Sequence, residues 1–335
     1  MRRFPVHFLI DVSESMVGEE LEAVEKGLSM FQQAIRSNPF ALETLHVSVS
    51  VFAGKAQTLT PLTQFLQFTP PKLPIGGGTA LGAALDHLMT TLDTTTQRTN
   101  AEVKGDWIPL VLLFTDGAPT DSPDKAIQRW KTSYKDRKAK LVAISIGKYA
   151  NVQQLQEITD HVLLMENATK DAFAGLFEWV SASVASHSEG LNQNKQEFDF
   201  DRIEDSVAKK VDKAEKVPTV IDDRFVILLG RCQSKKKLYL MKFRNSGKGK
   251  YDAEGGYPIT ESYLELSGGT VNQSVNVDKL TSIPRCPHCE VESFCYCQCG
   301  SIFCVEASGT VTCPWCAYSG SVDFRGGFDV ARALG

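Results

Sequence analysis

Three apolar runs limit what this chain can fold into: Val6-His7-Phe8-Leu9-Ile10, Ile108-Pro109-Leu110-Val111-Leu112-Leu113-Phe114, and Leu141 to Ile146. Each is far shorter than the ~18 apolar residues of a membrane span. Each also lacks the polar alternation of a strand with one wet face. They therefore read as strands buried on both sides, as in a parallel sheet. Pro109 is tolerable near the start of its strand. Helical patterns alternate with these runs. Leu21, Val24, Leu28, Phe31 and Ile35 recur with a helical period, and Glu19, Glu20 and Glu22 occupy the first turn, where the helix dipole favours acids. Leu81, Leu85, Leu88 and Leu92 mark a second helix, residues 126–137 a third, and Phe173, Leu176, Phe177, Val180 and Val184 a last one. Leu45 to Phe52 alternates as a strand, Val162 to Met165 is a weaker one, and Pro61 to Pro74 reads as a connection. This alternation predicts a doubly wound, Rossmann-like α/β domain over residues 1–187.

At 335 residues the chain exceeds a typical single domain. Residues 188–217 are polar and mixed in charge, which predicts a linker. Residues 218–335 are expected to form a smaller β-rich, zinc-ribbon-like domain, with short strands at Arg224 to Gly230, Lys237 to Arg244 and Ser262 to Ser267. A net charge of −4 argues against a nucleic-acid partner, and Lys235-Lys236-Lys237 is too short to change that. The apolar run after Arg2 and Arg3 breaks at Asp11, so it reads as a first strand rather than a signal peptide. Eight of the nine cysteines crowd between Cys286 and Cys316. Without an export signal, clustered thiols favour metal over disulfides, and the expected location is cytoplasmic.

Two clusters carry chemistry. The first strand runs into Asp11-Val12-Ser13-Glu14-Ser15, a carboxylate and two hydroxyls at alternate positions. In an open α/β sheet, ligands collect beyond the carboxyl ends of strands. Hard oxygen donors there suit a small divalent cation such as Mg²⁺. Plainer alternatives are a helix N-cap at the serines and a simple turn at Asp116-Gly117. The glycine loop Gly76-Gly77-Gly78-Thr79 lacks the lysine of a phosphate-binding loop, which excludes an NTPase of that type.

The second cluster contains two Cys-Pro-x-Cys knuckles, Cys286-Pro287-His288-Cys289 and Cys313-Pro314-Trp315-Cys316. Together they can fill one tetrahedral, structural Zn²⁺ site. Cys297, Cys299 and Cys304 are the candidates for a second zinc, so one or two are expected. The pairing stays open, because a cross-braced arrangement would mix the knuckles. His288 is expected to point outward and Cys232 to be an ordinary buried thiol. Thr90 to Thr96 reads as a helix end and exposed loop, with phosphoacceptors the alternative.

The first ~190 residues resemble a von Willebrand factor A (VWA) domain with a metal-ion-dependent adhesion site (MIDAS). The resemblance rests on Asp11-x-Ser13-x-Ser15, Thr79 after the glycines, and Asp116 in Thr115-Asp116-Gly117. It implies that Ser13 and Ser15 ligate Mg²⁺ or another divalent cation directly. Thr79 is then expected to join when a partner binds, and Asp11 and Asp116 to act largely through water. With its cysteine-rich C-terminus, which includes Cys297-Gln298-Cys299-Gly300, the chain resembles tellurium-resistance proteins of the TerY type; Cys295 falls outside that pattern. That resemblance implies a bacterial stress-response role beside a Ser/Thr protein kinase and a PP2C-type phosphatase.

The function expected from these readings is a non-enzymatic adaptor that captures an acidic group of a protein partner at Mg²⁺. One alternative is a RING-like ubiquitin ligase. Against it, the usual histidine is missing between Cys297 and Cys304. Another is a kinase substrate and sensor switched by phosphorylation. A hydrolase has little support, since His7, His46, His87, His161, His187 and His288 are scattered.

Overall fold

The structure, a computed structural model, describes residues 2–116, 119–147, 152–166, 169–190, 203–211, 225–268, 274–322 and 329–331. The chain packs as two compact units. One comprises Met1–Val12, Gly18–Leu73 and Thr79–Val220; the other comprises Ser13–Val17, Pro74–Gly78 and Ile221–Gly335.

The first unit is built from β1 (Phe4–Asp11), α1 (Glu19–Ile35), α2 (Pro39–Thr44), β2 (Leu45–Phe52), β3 (Ala56–Gln64), α3 (Leu81–Thr95) and β4 (Leu110–Thr115). It continues through α4 (Asp124–Ser133), β5 (Lys140–Ile146), α5 (Val152–Ile158), β6 (His161–Met165), α6 (Lys170–Gly190) and β7 (Lys209–Lys210). The seven strands form one sheet in the order β3-β2-β1-β4-β5-β6-β7. The pairs β2–β1, β1–β4, β4–β5 and β5–β6 are parallel, while β3 and β7 run antiparallel at the edges. All residues of β1 and β4 are buried, as expected of predominantly apolar strands inside a parallel sheet.

Adjacent residues of the central strands face opposite layers. Phe8 and Phe114 join Phe31 of α1 and Phe177 of α6 in an aromatic stack, with Phe114 and Phe177 ring centroids 5.5 Å apart. Leu9 and Leu113 join Leu85 and Leu88 of α3 and Trp130 of α4 on the other side. Gly27 lets α1 approach α6: a Cβ there would lie 2.0 Å from the Phe177 ring.

Several elements differ from expectation. Pro61 belongs to β3 rather than to a connection, which an edge strand tolerates. The third helix stops at Ser133, short of Arg137. Within 188–217, the described residues finish α6 and supply β7, with Ala208 and Val211 buried; 191–202 and 212–217 lie outside the described residues.

The second unit holds β8 (Phe225–Arg231), β9 (Leu238–Gly247), β10 (Lys250–Pro258), α7 (Ser262–Leu266), β11 (Ser274–Asn276), β12 (Phe294–Tyr296), β13 (Ile302–Cys304), β14 (Gly309–Thr312), β15 (Ser319–Val322) and β16 (Asp329–Ala331). A five-stranded sheet runs β10-β9-β8-β13-β12, with β13 parallel to β8 and the other pairs antiparallel. The pairs β14–β15 and β11–β16 are separate. The expected strand at Ser262 to Ser267 is instead α7, because its buried residues, Tyr263 and Leu266, are three apart rather than two.

Burial leaves one titration signature in the first core. The His7 ring is buried in β1, its Nδ1 2.6 Å from Ser48 Oγ, and burial depresses its pKa from 6.5 to about 4. The unfolded chain therefore binds more protons than the folded one between these values. Stability is fully present above pH 6.5 and falls as pH drops toward 4. Chemical denaturation should show a loss on the order of 3 kcal/mol over that window, flattened in His7→Gln. An unchanged slope in the variant would assign the loss to other groups.

Candidate metal centres

The strand order reverses at the β1–β4 pair, with β2 on one side and β5 on the other. Crevices at the carboxyl ends of such strands are where open α/β sheets bind ligands. Asp11 ends β1 and Asp116 directly follows β4, so parallel pairing brings both carboxylates to the same edge. Thr115 Oγ1 donates to Asp11 Oδ2 at 2.6 Å and orients that carboxylate. Two further loops are tied there by backbone bonds. Val12 N donates to Phe52 O at 2.8 Å, and Ala80 N donates to Ala53 O at 2.6 Å. Thr79 and Thr120 are clasped together, with Thr120 N donating to Thr79 O and Thr79 N to Thr120 Oγ1.

The donor set fits a hard cation. Asp11, Ser13, Ser15, Thr79 and Asp116 are all nearly inaccessible to solvent. Ser13 Oγ and Ser15 Oγ lie 3.0 Å apart. Adjacent ligands of an octahedral ion at 2.0–2.1 Å are separated by about 3 Å, so the two hydroxyls already have the spacing Mg²⁺ requires. Thr79 Oγ1 is buried with no hydrogen-bond partner among the described residues, an arrangement that costs roughly 1–3 kcal/mol unless a ligand satisfies it. Gly117, read from the sequence as part of this turn, lies outside the described residues.

Glu14, between the two serines, was not singled out in the sequence. It is fully buried, accepts from Gly78 N at 3.1 Å and from the Tyr263 hydroxyl, and burial raises its pKa to about 7 against those two bonds.

The sulfur sites correct the sequence expectation. The knuckles Cys286/Cys289 and Cys313/Cys316 do not share one site. Cys286 and Cys289 group with Cys232 and Cys304, and Cys313 and Cys316 group with Cys297 and Cys299; within each group the sulfurs lie within 4.8 Å of one another. The sites interleave along the chain because β13, between the two knuckles, pairs with the distant β8. Phe303 lies opposite Arg231, so one residue later Cys304 meets Cys232. Cys232 is thus a member of a four-thiol cluster rather than an ordinary buried thiol.

Sulfur separations of 3.5 Å (Cys289–Cys304), 3.6 Å (Cys297–Cys316) and 3.9 Å (Cys299–Cys313) are far too long for disulfides. They bracket the ~3.8 Å edge of a tetrahedron with Zn–S bonds near 2.3 Å. Each cluster is framed by two similar turns. The amides of Lys236, Glu290, Gly300 and Ala317 donate back to the carbonyls of Cys232, Cys286, Cys297 and Cys313, and all four donors have positive φ. Burial raises the Cys232 thiol, but hydrogen bonds from Ser234 and Lys235 N outweigh it and bring it to about 7, while burial holds Cys286 near 11. Four thiols so close together resist joint ionisation unless a cation compensates them.

Cys295 belongs to neither cluster, and burial pushes its thiol up to about 12. His288 does not point outward: Nε2 lies 2.9 Å from Leu238 O, and its ring meets Tyr239 edge-on. A turn-forming Cys232-Gln233-Ser234-Lys235-Lys236 after an apolar strand was the only local sign of the fourth ligand.

Residues 6–174, half of the chain, match the von Willebrand factor type A domain family. The chain belongs to that family. Residues 222–335 match the TerY-C metal binding domain, so the VWA fold is followed here by the β-rich cysteine unit that the sequence resembled. Among solved structures, this VWA chain is similar to a von Willebrand factor type A protein from Catenulispora acidiphila, at 13% identity and TM-score 0.43, covering 81% of this chain and 70% of that one. It is also similar to the pilus adhesin SpaC from Lactobacillus rhamnosus GG, at 14% identity and TM-score 0.43, covering 56% of this chain and 30% of that one. A third is proximal thread matrix protein 1 from the mussel byssus, in a form with a zinc-occupied MIDAS motif, at 19% identity and TM-score 0.40, covering 55% and 48%. The VWA chain therefore spans about half the length of the mussel protein and less than a third of the adhesin. No match is found among curated protein sequences.

The two clusters generate a stoichiometric prediction. Elemental analysis of the purified full chain is expected to give two zinc equivalents, with Cys232→Ser and Cys304→Ser each removing one and leaving the other. Two equivalents retained in Cys232→Ser would exclude that residue as a ligand.

Proposed function

We propose that this VWA protein is a non-enzymatic, metal-dependent adaptor that captures an acidic group of a protein partner at an Mg²⁺ held by Asp11, Ser13, Ser15, Thr79 and Asp116. Two observations carry this reading: the buried Thr79 hydroxyl has no hydrogen-bond partner among the described residues, and the Ser13 and Ser15 hydroxyls stand at octahedral spacing. When bound, the cation supplies an electrophilic position that a partner's carboxylate can fill. The chain's own residues do the preparatory work. Thr115 orients Asp11, Thr120 clasps Thr79, and the two serines hold their spacing before any ligand arrives. In this reading the oxygens serve as ligands, and none is assigned the role of nucleophile or general base.

The cysteine unit supplies a folded partner surface stabilised by two structural zincs, each able to contribute roughly 10–16 kcal/mol of apparent binding free energy. Its likeness to the TerY-C metal binding domain supports placing the adaptor in a bacterial stress response of the tellurium-resistance type. There it would join a Ser/Thr protein kinase and a PP2C-type phosphatase in the cytoplasm. Among the described residues no helix is long and apolar enough to cross a membrane. The adaptor reading is tested by pull-down of the tagged full chain from its native cell. Partner capture is expected with Mg²⁺ and to fall at least tenfold with EDTA or in Asp11→Ala, with the circular dichroism spectrum unchanged. Capture that survives both treatments would overturn the mechanism.

One observation favours the RING-like alternative. The first site takes Cys286, Cys289 and Cys304 while the second takes Cys297, Cys299, Cys313 and Cys316, an interleaving of the cross-braced kind. Its fourth ligand nevertheless comes from Cys232, at the end of β8 and far upstream of the knuckles. Under the adaptor reading, the full chain leaves the discharge rate of a ubiquitin-charged conjugating enzyme at background. A several-fold acceleration would support the ligase instead.

A further inference from the structure

Lys242 is the most anomalous residue of the second unit. It lies in β9, opposite Ile227 of β8, and its side chain is completely buried. A buried ammonium group is costly unless acceptors and opposite charge are matched around it. Here Nζ donates to Ser15 O at 2.9 Å and to Val17 O at 2.8 Å, lies 3.5 Å from Glu254 Oε1, and sits 4.3 Å from the Phe225 ring centroid. Its two carbonyl partners belong to the segment that carries Ser13 and Ser15. That segment, Ser13–Val17, is part of the second unit, and Val17 is buried with Phe225, Ile227, Leu238, Leu240, Ile259 and Tyr263.

A second grip acts on the glycine loop. The Tyr263 hydroxyl donates to Glu14 Oε1, and Glu14 Oε2 accepts from Gly78 N. Ser267 Oγ accepts from Gly77 N at 2.8 Å, and Gly268 N donates to Gly77 O at 3.2 Å. One carboxylate therefore links the residue between the two serines to the residue before Thr79, and Tyr263 and Ser267 hold that link from α7 and its C-terminal cap.

We infer that Lys242 and Tyr263 are positioning residues for the oxygen site: the β-rich unit sets cation affinity by holding Ser13–Val17 and Gly77–Gly78 in the ligating conformation. This rests on the reading of the five oxygen donors as a cation site. Neither residue reaches the cation. Lys242 acts through the backbone on either side of Met16, and Tyr263 acts through Glu14. Their effect is to reduce the ordering that the loop would otherwise undergo on binding, which is how preorganisation raises affinity. A lysine suits this place because its ammonium presents several donors to two carbonyls at once, which an apolar residue of equal length cannot do.

The experiment is calorimetric titration of the full-length, zinc-loaded chain with Mg²⁺ and with Mn²⁺, for the natural sequence, Lys242→Met and Tyr263→Phe. Hydrogen exchange of the cation-free proteins is followed in parallel. Lys242→Met is expected to weaken cation binding at least tenfold and Tyr263→Phe several-fold. Exchange should accelerate at residues 13–17 and 77–78 while β4 and β5 keep their protection. That local pattern separates positioning from general destabilisation. Tyr263→Phe removes a single hydroxyl, so it carries the test if Lys242→Met does not fold. Unchanged affinity in a folded variant overturns the inference while leaving the cation site standing. No cation binding by the natural chain overturns the site itself.

Discussion

The parallel pairing of β1 with β4 is the constraint on which the rest of the first unit depends. Both strands are predominantly apolar and buried along their whole length, so neither can move to an edge without exposing a full row of side chains. Their register sets Val6 against Leu110 and Ile10 against Phe114, which brings Asp11 and Thr115 within hydrogen-bonding distance and places Asp116 at the same rim. Because β2 and β5 lie on opposite sides of this pair, the strand order reverses there, which is where open α/β sheets bind ligands. The oxygen donors gather where the sheet has no other use for polar side chains.

The second unit solves a different problem. Its buried apolar residues fall into separate clusters, and the two sulfur groups join pieces that are distant in sequence. Cys232 and Cys304 extend the β8–β13 pairing, while Cys297 and Cys299 stand between the knuckle at Cys286 and the one at Cys313. Each cluster thus ties elements that are distant in sequence, a role for which zinc suits well, since it constrains several chain segments at one point. The same unit contains the short segment carrying Ser13 and Ser15, so an oxygen-donor loop and a sulfur-stabilised sheet share one packed body.

Much of this was legible in the order of residues. The apolar runs identified the central strands, and the helical periodicities found α1, α3 and α6. Asp11, Ser13, Ser15, Thr79 and Asp116 stand next to element ends, where local pattern is informative. The departures share a cause. Ser262 to Ser267 has a composition compatible with either a strand or a short helix, and burial of Tyr263 and Leu266 chose the helix. Pro61 reads locally as a break, yet an edge strand has no neighbour that needs its missing amide hydrogen. Lys242 interrupts the buried, largely apolar first part of its strand, and nothing near it in the chain reveals the carbonyls it serves.

The sequence by itself determined the fold class, the run of oxygen donors at the first strand's end and the paired cysteines of the two knuckles. Each follows from residue types at short spacings, where backbone geometry alone brings the groups together. Only the tertiary structure decided which sulfurs form which site, that Cys232 completes one of them, and that Lys242 and Tyr263 grip the loop between Asp11 and Gly18. Those partnerships span tens to hundreds of residues and depend on strand register, and register is set by packing across the whole sheet rather than by any local pattern.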